Sequence, residues 1–149
     1  MDNNTGEFPG NRNDINQGSA PYITNIRQEV LNNTLFYTTR WTSKNIQFAL
    51  MSVPVNTETG LDVHYTSDQF FYIEQGEALV IMGPCYNCLG IPSHASEGYT
   101  IIVPAGMWHN VLNVGSTDLK MYSIFAPALH SYNTVFRTTQ EWFDYYEND

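Results

Sequence analysis

Basic residues are scarce in this chain. Six Lys and Arg stand against fifteen Asp and Glu, which leaves a net charge of −9 over 149 residues. Nucleic acids and anionic membranes are bound through a basic face, so neither is an expected partner. A sugar phosphate would need a local basic pocket, and few residues are available to build one. Charge of either sign is thin, 14% of residues against roughly 25% in ordinary soluble domains. The polar surface therefore falls to Asn, Thr, Ser, Gln and Tyr. No apolar run reaches the ~18 residues of a membrane-spanning helix. The opening MDNNTGEFPGNRNDINQGSA has neither the basic start nor the apolar stretch of a secretory leader. The expected location is cytoplasmic, with a cell-surface or coat assembly as the alternative. Cysteine is limited to Cys85 and Cys88, in Cys-Tyr-Asn-Cys. One such pair is half a zinc site at most, and a disulfide, a contact between subunits or no function stay open.

What the chain does have is apolar and aromatic material, 42% and 14% of residues, enough for one core. Residues 1–20 are rich in Asn, Gly and Asp and read as a disordered or loosely attached tail. Residues 21–149 read as one domain. Within it, TLFYTTRWT, NIQFALMSV, GLDVHY, QFFYIEQG, EALVIMG, YTIIVPAG, WHNVLN, LKMYSIFAP and NTVFRTT are dense in β-branched and aromatic residues. Gly, Pro, Asn or Asp separates most of them. Many short strands with turn signals between them predict an all-β sandwich or closed barrel. Only the end reads as helix. Thr138 and Glu141 have capping-box spacing, and Gln140–Tyr146 brings Trp142, Tyr145 and Tyr146 to neighbouring faces.

The stretch GYTIIVPAGMWHNVLN, residues 98–113, carries the most information. YTIIV predicts a strand, Pro104-Ala105-Gly106 a tight turn, and WHNVLN the returning strand of a hairpin. Alternation puts Met107, His109 and Val111 on one face, so His109 points inward among apolar neighbours. A lone inward histidine is more often a hydrogen-bonded core residue than a ligand.

Gly98, Pro104, Gly106, His109 and Asn113 match every position of the second signature of the cupin family, which this stretch resembles. The first signature is Gly, five residues, His, one, His, three or four, Glu, six, Gly. It is met in part by NTETGLDVHYTSDQFFYIEQG. Counting back from Gly76, Gln69 stands where Glu is usual, His64 on the second His, Asp62 on the first and Asn56 on the opening Gly. Asp62 and His64 are two apart on a predicted strand and share its face. The resemblance thus implies a ligand set of Asp62, His64, Gln69 and His109. Like the usual three His and one Glu, this set carries one negative charge if Asp62 ligates. Hard and borderline donors of this kind suit one divalent transition metal, Fe, Mn, Ni or Zn. Two alternatives stay open. Asp62 reaches the metal directly or through water, and if unligated it is a candidate general base. Asp68 is the rival for the Glu position, although it faces away from Gln69 on a regular strand.

From about Tyr22 to Arg137 the chain resembles small single-domain bacterial cupins of the "mannose-6-phosphate isomerase-like" kind, chiefly in LDVHYTSDQFFYIEQG, VPAGMWHN and MYSIFAP. The resemblance implies an RmlC-like double-stranded β-helix, the jelly-roll barrel, with a short C-terminal helix, one metal, a small-molecule ligand and a homodimer. It implies no particular reaction, because one fold hosts many chemistries. A metal-dependent isomerase, dioxygenase or lyase acting on a small polar or sugar-like molecule is one expectation. A non-catalytic binding or coat protein is the other. His94, in the polar stretch SHASEG, is expected to be solvated, as are Glu74 and Glu77. His130 is expected near the barrel mouth and not as a ligand.

Overall fold

The computed structural model describes residues 18–147. Nine strands and two short helices follow one another in chain order. They are α1 (Ile26–Asn32), β1 (Tyr37–Thr42), β2 (Gln47–Val53), β3 (Asp68–Gln75), β4 (Glu77–Gly83), β5 (Ser93–Ser96), β6 (Thr100–Val103), β7 (Trp108–Asn113), β8 (Leu119–Ala126), β9 (Val135–Phe136) and α2 (Thr139–Glu147). The strands form a six-stranded sheet in the order β6-β3-β8-β2-β1-β9 and a three-stranded sheet in the order β5-β4-β7. All the pairings are antiparallel.

The core lies between the sheets because the strands alternate. In β8, Leu119, Met121, Ser123 and Phe125 are buried, while Lys120, Tyr122 and Ile124 on the other face are half-buried. Inward residues of the large sheet, such as Met51, Phe71, Ile73 and Phe125, form one cluster with Ala78, Val80 and Val111 of the small sheet. Each such fully buried large side chain stabilises the fold by about 1.5–3 kcal/mol.

The jelly-roll expectation is met in architecture and strand content. The two sheets face each other, however, and are not closed into one hydrogen-bonded barrel. The turn at Pro104–Gly106 does not make a hairpin, because β6 pairs with β3 in one sheet and β7 with β4 in the other. The chain crosses between sheets there, and again at Gly76 between β3 and β4. Gly76 takes φ 100°, which only glycine adopts readily. These crossings bring the inward side chains of β3 and β7 to face one another.

Three local expectations are corrected. GLDVHY forms no strand of its own. It is tied to β7 by one isolated bridge, Asp62 opposite His109, and Glu58 just before it bridges Leu112. SHAS, read as loop, is strand β5 paired to β4. Helix α1 was unforeseen because seven residues are too few for periodicity to show. Its Asn25 cap, whose side chain accepts from Gln28 N at 3.1 Å, has the spacing of a helix start. Lys120 Nζ donates to the carbonyls of Leu31 and Asn33 at the helix's far end. Of the expected tail, residues 1–17 lie outside the described residues, and at its end the Ala20 carbonyl accepts from Trp41 Nε1 at 2.6 Å.

Asn113, the last residue of the motif, ends β7 in a fixed way. Its Nδ2 donates to the carbonyls of Val53 and Thr117 at 2.9 Å each, and its Oδ1 accepts from Gly115 N. It is 5% exposed, so Asn113→Ala leaves buried carbonyls short of a donor. The expected cost is about 1–3 kcal/mol of unfolding free energy in a urea titration. A loss within error of zero would deny Asn113 this role.

Candidate metal centre

The four residues expected to act together line one small cavity between the sheets. Asp62, His64, Gln69 and His109 share it with Met51, Thr59, Gly60, Phe71, Phe125 and Trp142. Its volume is ≈ 20 Å³, room for about one water molecule or ion.

His109 is placed by β7 and by the segment facing it. Its backbone N–H donates to the Asp62 carbonyl at 2.9 Å, and Asp62 N–H donates back at 3.0 Å. Its side chain is 3% exposed. Nδ1 lies 3.0 Å from the Met107 carbonyl. A carbonyl only accepts, so the proton sits on Nδ1 and Nε2 keeps its lone pair. That arrangement, one ring nitrogen anchored and the other free to ligate, is the usual preparation of a metal-binding histidine.

His64 lies beside it, with ring centroids 5.2 Å apart. The turn after β6 holds its backbone, because Gly106 N–H donates to the His64 carbonyl at 2.8 Å. Gly106 makes that turn at φ 82°. His64 Nε2 is 3.8 Å from Asp62 Oδ2, beyond a hydrogen bond and suited to a bridging water. Asp62 sits at the rim, 31% exposed, with its Oδ1 accepting from Val63 N at 2.8 Å.

Gln69 comes from β3. Its Nε2 donates to Ser123 Oγ at 2.9 Å, which fixes the amide, and Ser123 is fully buried. The other end of the amide, Oε1, is buried and has no partner. A buried carbonyl oxygen without a donor is costly, about 1–3 kcal/mol. An unmet acceptor on a residue that lines the cavity points to an occupant that accepts its lone pair.

Asp68 is not part of this group. It is exposed, and its Oδ1 accepts from Ala105 N at 2.8 Å. It braces the turn that carries His64's partner Gly106. Among the described residues no three His, Cys, Asp or Glu side chains gather closely enough to hold a metal ion between them. The donors that line the cavity are two imidazoles and an amide oxygen, with one carboxylate at the edge. This set fits a divalent metal through its chemistry and through the orphaned Gln69 Oε1.

The remaining candidates separate from the cavity. His94 is 56% exposed, with Glu77 at 3.9 Å. Glu74, expected in solvent, is instead 8% exposed, and its Oε2 accepts from Arg27 Nη1 of α1 at 2.9 Å. His130 packs at the end of the sheets against Tyr37, Phe125 and Trp142. Cys85 and Cys88 are disulfide-bonded in the loop between β4 and β5. Trp142, Phe71 and Phe125 are also walls of the cavity. No local signal distinguishes a wall residue from any other core aromatic.

Burial holds three histidines neutral. It brings His64 down to about 4, with the Asp62 carboxylate opposing and His109 adding to the shift. It brings His130 to about 4, with His64 contributing, and it lowers His109 against the pull of the Met107 carbonyl. Unfolded, each titrates near 6.5. Between pH 6.5 and 4 the unfolded chain therefore binds more protons than the folded one, so stability rises with pH across that window. Acidification from 6.5 to 4 is expected to lower the unfolding free energy by up to about 1.4 kcal/mol per pH unit per histidine. Replacement His130→Phe removes one proton site, so urea titrations across the window should show a shallower slope. An unchanged slope would contradict the assignment.

Comparisons with known proteins bear on the fold and the family. The family model described as "Cupin domain" matches residues 49–125, from β2 through most of β8. The protein YrkC of Bacillus subtilis, described as uncharacterized, is 42% identical over 121 residues, 81% of this chain and 65% of its own length. The chain thus spans just under two thirds of that relative. The crystal structure of BH2720 from Bacillus halodurans superimposes with a TM-score of 0.82 at 39% identity, covering 83% of this chain and 94% of that one. A more distant likeness is to a Thermotoga maritima protein described as a predicted oxalate decarboxylase. Its TM-score is 0.50 at 25% identity, over 57% of this chain and 69% of that one. With the signature positions, the two facing sheets and the family match in agreement, the chain belongs to the cupin family.

Proposed function

We propose that this chain is a metal-binding cupin that acts on a small polar or sugar-like molecule. It would hold one divalent transition metal, iron, manganese, nickel or zinc, through His64, His109 and Gln69. The observation that carries this reading is the unpartnered Gln69 Oε1 in the same cavity as the anchored His109 ring. When bound, the metal supplies Lewis-acid chemistry, polarising a ligand oxygen. The chain's own residues do the rest. Met107 fixes the His109 tautomer, and Ser123 holds the Gln69 amide by its nitrogen. Met51, Phe71, Phe125 and Trp142 form the apolar walls. Asp62, at the rim and 3.8 Å from His64, is placed to take a proton from a ligand or to reach the metal through water. An amide donates more weakly than the carboxylate it replaces, so this account predicts a modest affinity.

Metal analysis by mass spectrometry on protein purified without an affinity tag tests the reading. The expected result is a substantial fraction of one equivalent of a single transition metal. Less than about a tenth of an equivalent, with none recovered on incubation, would count against it. The small cavity supports a second reading, a cupin that binds without catalysis. That reading gains if His109→Ala leaves fold, assembly and phenotype unchanged.

A further inference from the structure

The C-terminal helix supplies one wall of the cavity, and its attachment has a specific chemistry. Helix α2 begins with the capping pair Thr138 and Glu141. Thr138 Oγ1 accepts from Glu141 N at 3.1 Å, and Glu141 Oε2 accepts from Arg137 N at 2.6 Å. The helix is then fastened over the site at two points. Trp142 Nε1 donates to the Thr59 carbonyl at 2.8 Å, a buried bond made directly before Gly60. The Phe143 ring lies against Gly60, so close that a Cβ there would meet Phe143 Cε1 at 2.8 Å. Gly60 takes φ 87°, so both its conformation and the space above it require glycine. Trp142 is 7% exposed and, among the described residues, is the one cavity wall contributed from outside the sheets and the Thr59–His64 segment.

We propose that Trp142 sets the size limit of this site. With α2 docked, only a small ligand reaches the donors, and a larger molecule meets them only after the helix is displaced. The volume decides this. The space between the walls is small, ≈ 20 Å³, and the indole is the wall that the helix adds to it. Within the proposed ligand range this favours the small polar end, a diatomic or a small oxyanion. This inference rests on the proposed reading of the cavity as a ligand site, and the experiment below separates the two.

Carbethoxylation of metal-free protein by diethyl pyrocarbonate, read residue by residue by mass spectrometry, needs no metal. His94, 56% exposed, is the internal reference. In the wild type, His64 and His109 should react far more slowly than His94. Replacement W142A is expected to raise their rate relative to His94 by about tenfold or more, whereas W142F stays near the wild type. Equal relative rates in wild type and W142A would overturn the proposal. If W142A loses its β-sheet circular dichroism, Phe143→Ala loosens the same helix with the indole in place, and the same comparison decides. A second arm uses Co(II)-loaded protein and its visible spectrum. Azide should bind wild type and W142A alike, and picolinate should bind W142A at least about tenfold more tightly. Equal picolinate affinity would contradict the size limit. Failure of Co(II) to bind either protein would instead sink the metal reading and leave the carbethoxylation result to decide on Trp142.

Discussion

Replacement of His109 by alanine is expected to weaken transition-metal binding by more than about 100-fold while the fold survives. Loss of a residue that merely orients a ligand typically costs 10–100-fold in affinity. His109 would be a ligand itself, and the set it belongs to has little to spare. Gln69 contributes a neutral oxygen and Asp62 stands 3.8 Å from His64 at the rim. The strand holding His109 does not depend on its imidazole. The two bonds to Asp62 are made by backbone, and β7 pairs with β4 over Trp108–Asn113. Alanine leaves the Met107 carbonyl without its ring donor, a cost of about 1–3 kcal/mol that an ordinary domain tolerates. Competition titration against a chelating dye reads the affinity. His94→Ala, an exposed control, should match the wild type. If His109→Ala binds as tightly as His94→Ala, His109 is not a ligand.

The largest expected effect on stability comes from Glu29→Ala. Glu29 Oε1 accepts from Arg40 Nε at 2.9 Å and from Nη2 at 2.6 Å, and Glu29 Oε2 accepts from Thr24 Oγ1 at 2.7 Å. The Arg40 and Glu29 side chains are 4% and 8% exposed. This pair fastens α1 to β1, and both charges have been taken out of water to make it. Removing one partner breaks a buried, charge-assisted pair, which costs about 3–5 kcal/mol. Replacing both with apolar residues of similar size is expected to cost less, because the desolvation of both charges goes with them. Urea unfolding of Glu29→Ala and of the double variant Glu29→Leu/Arg40→Met reads both statements. A single-variant loss below about 1 kcal/mol would show the pair to be no stronger than a surface bridge.

The strands were legible where burial on one face imposed alternation. LKMYSIFA and DQFFYIEQ both appear as strands with every second residue buried. The turn at Pro104–Gly106 was legible because φ there demands glycine. What the turn does was not legible. Pro-Ala-Gly is compatible with a hairpin and with a crossing between sheets, and only the partners β3 and β4 distinguish them. GLDVHY was misread because its Val, Tyr and alternation suit a strand. Yet one isolated bridge suffices to hold Asp62 beside His109, and the expected gathering of the four residues followed all the same. Asp68 could be set aside from the alternation of β3 alone, and its bond to Ala105 N agrees. Glu74 was misjudged as solvated because its partner Arg27 sits on a helix 47 residues earlier that the sequence did not reveal. Trp142 stands out in the sequence by its helical spacing with Tyr145 and Tyr146, but which cavity it lines depends on Thr59 and Gly60, far away in the chain.

The central claim is that one metal sits among His64, Gln69 and His109. Anomalous X-ray diffraction from crystals of metal-loaded wild-type protein, collected on both sides of the metal's absorption edge, tests it most directly. The account predicts one peak per chain in the cavity, within bonding distance of both imidazoles and of Gln69 Oε1. A cavity without such a peak, with the metal bound only elsewhere, for example at His94 and Glu77, would contradict it.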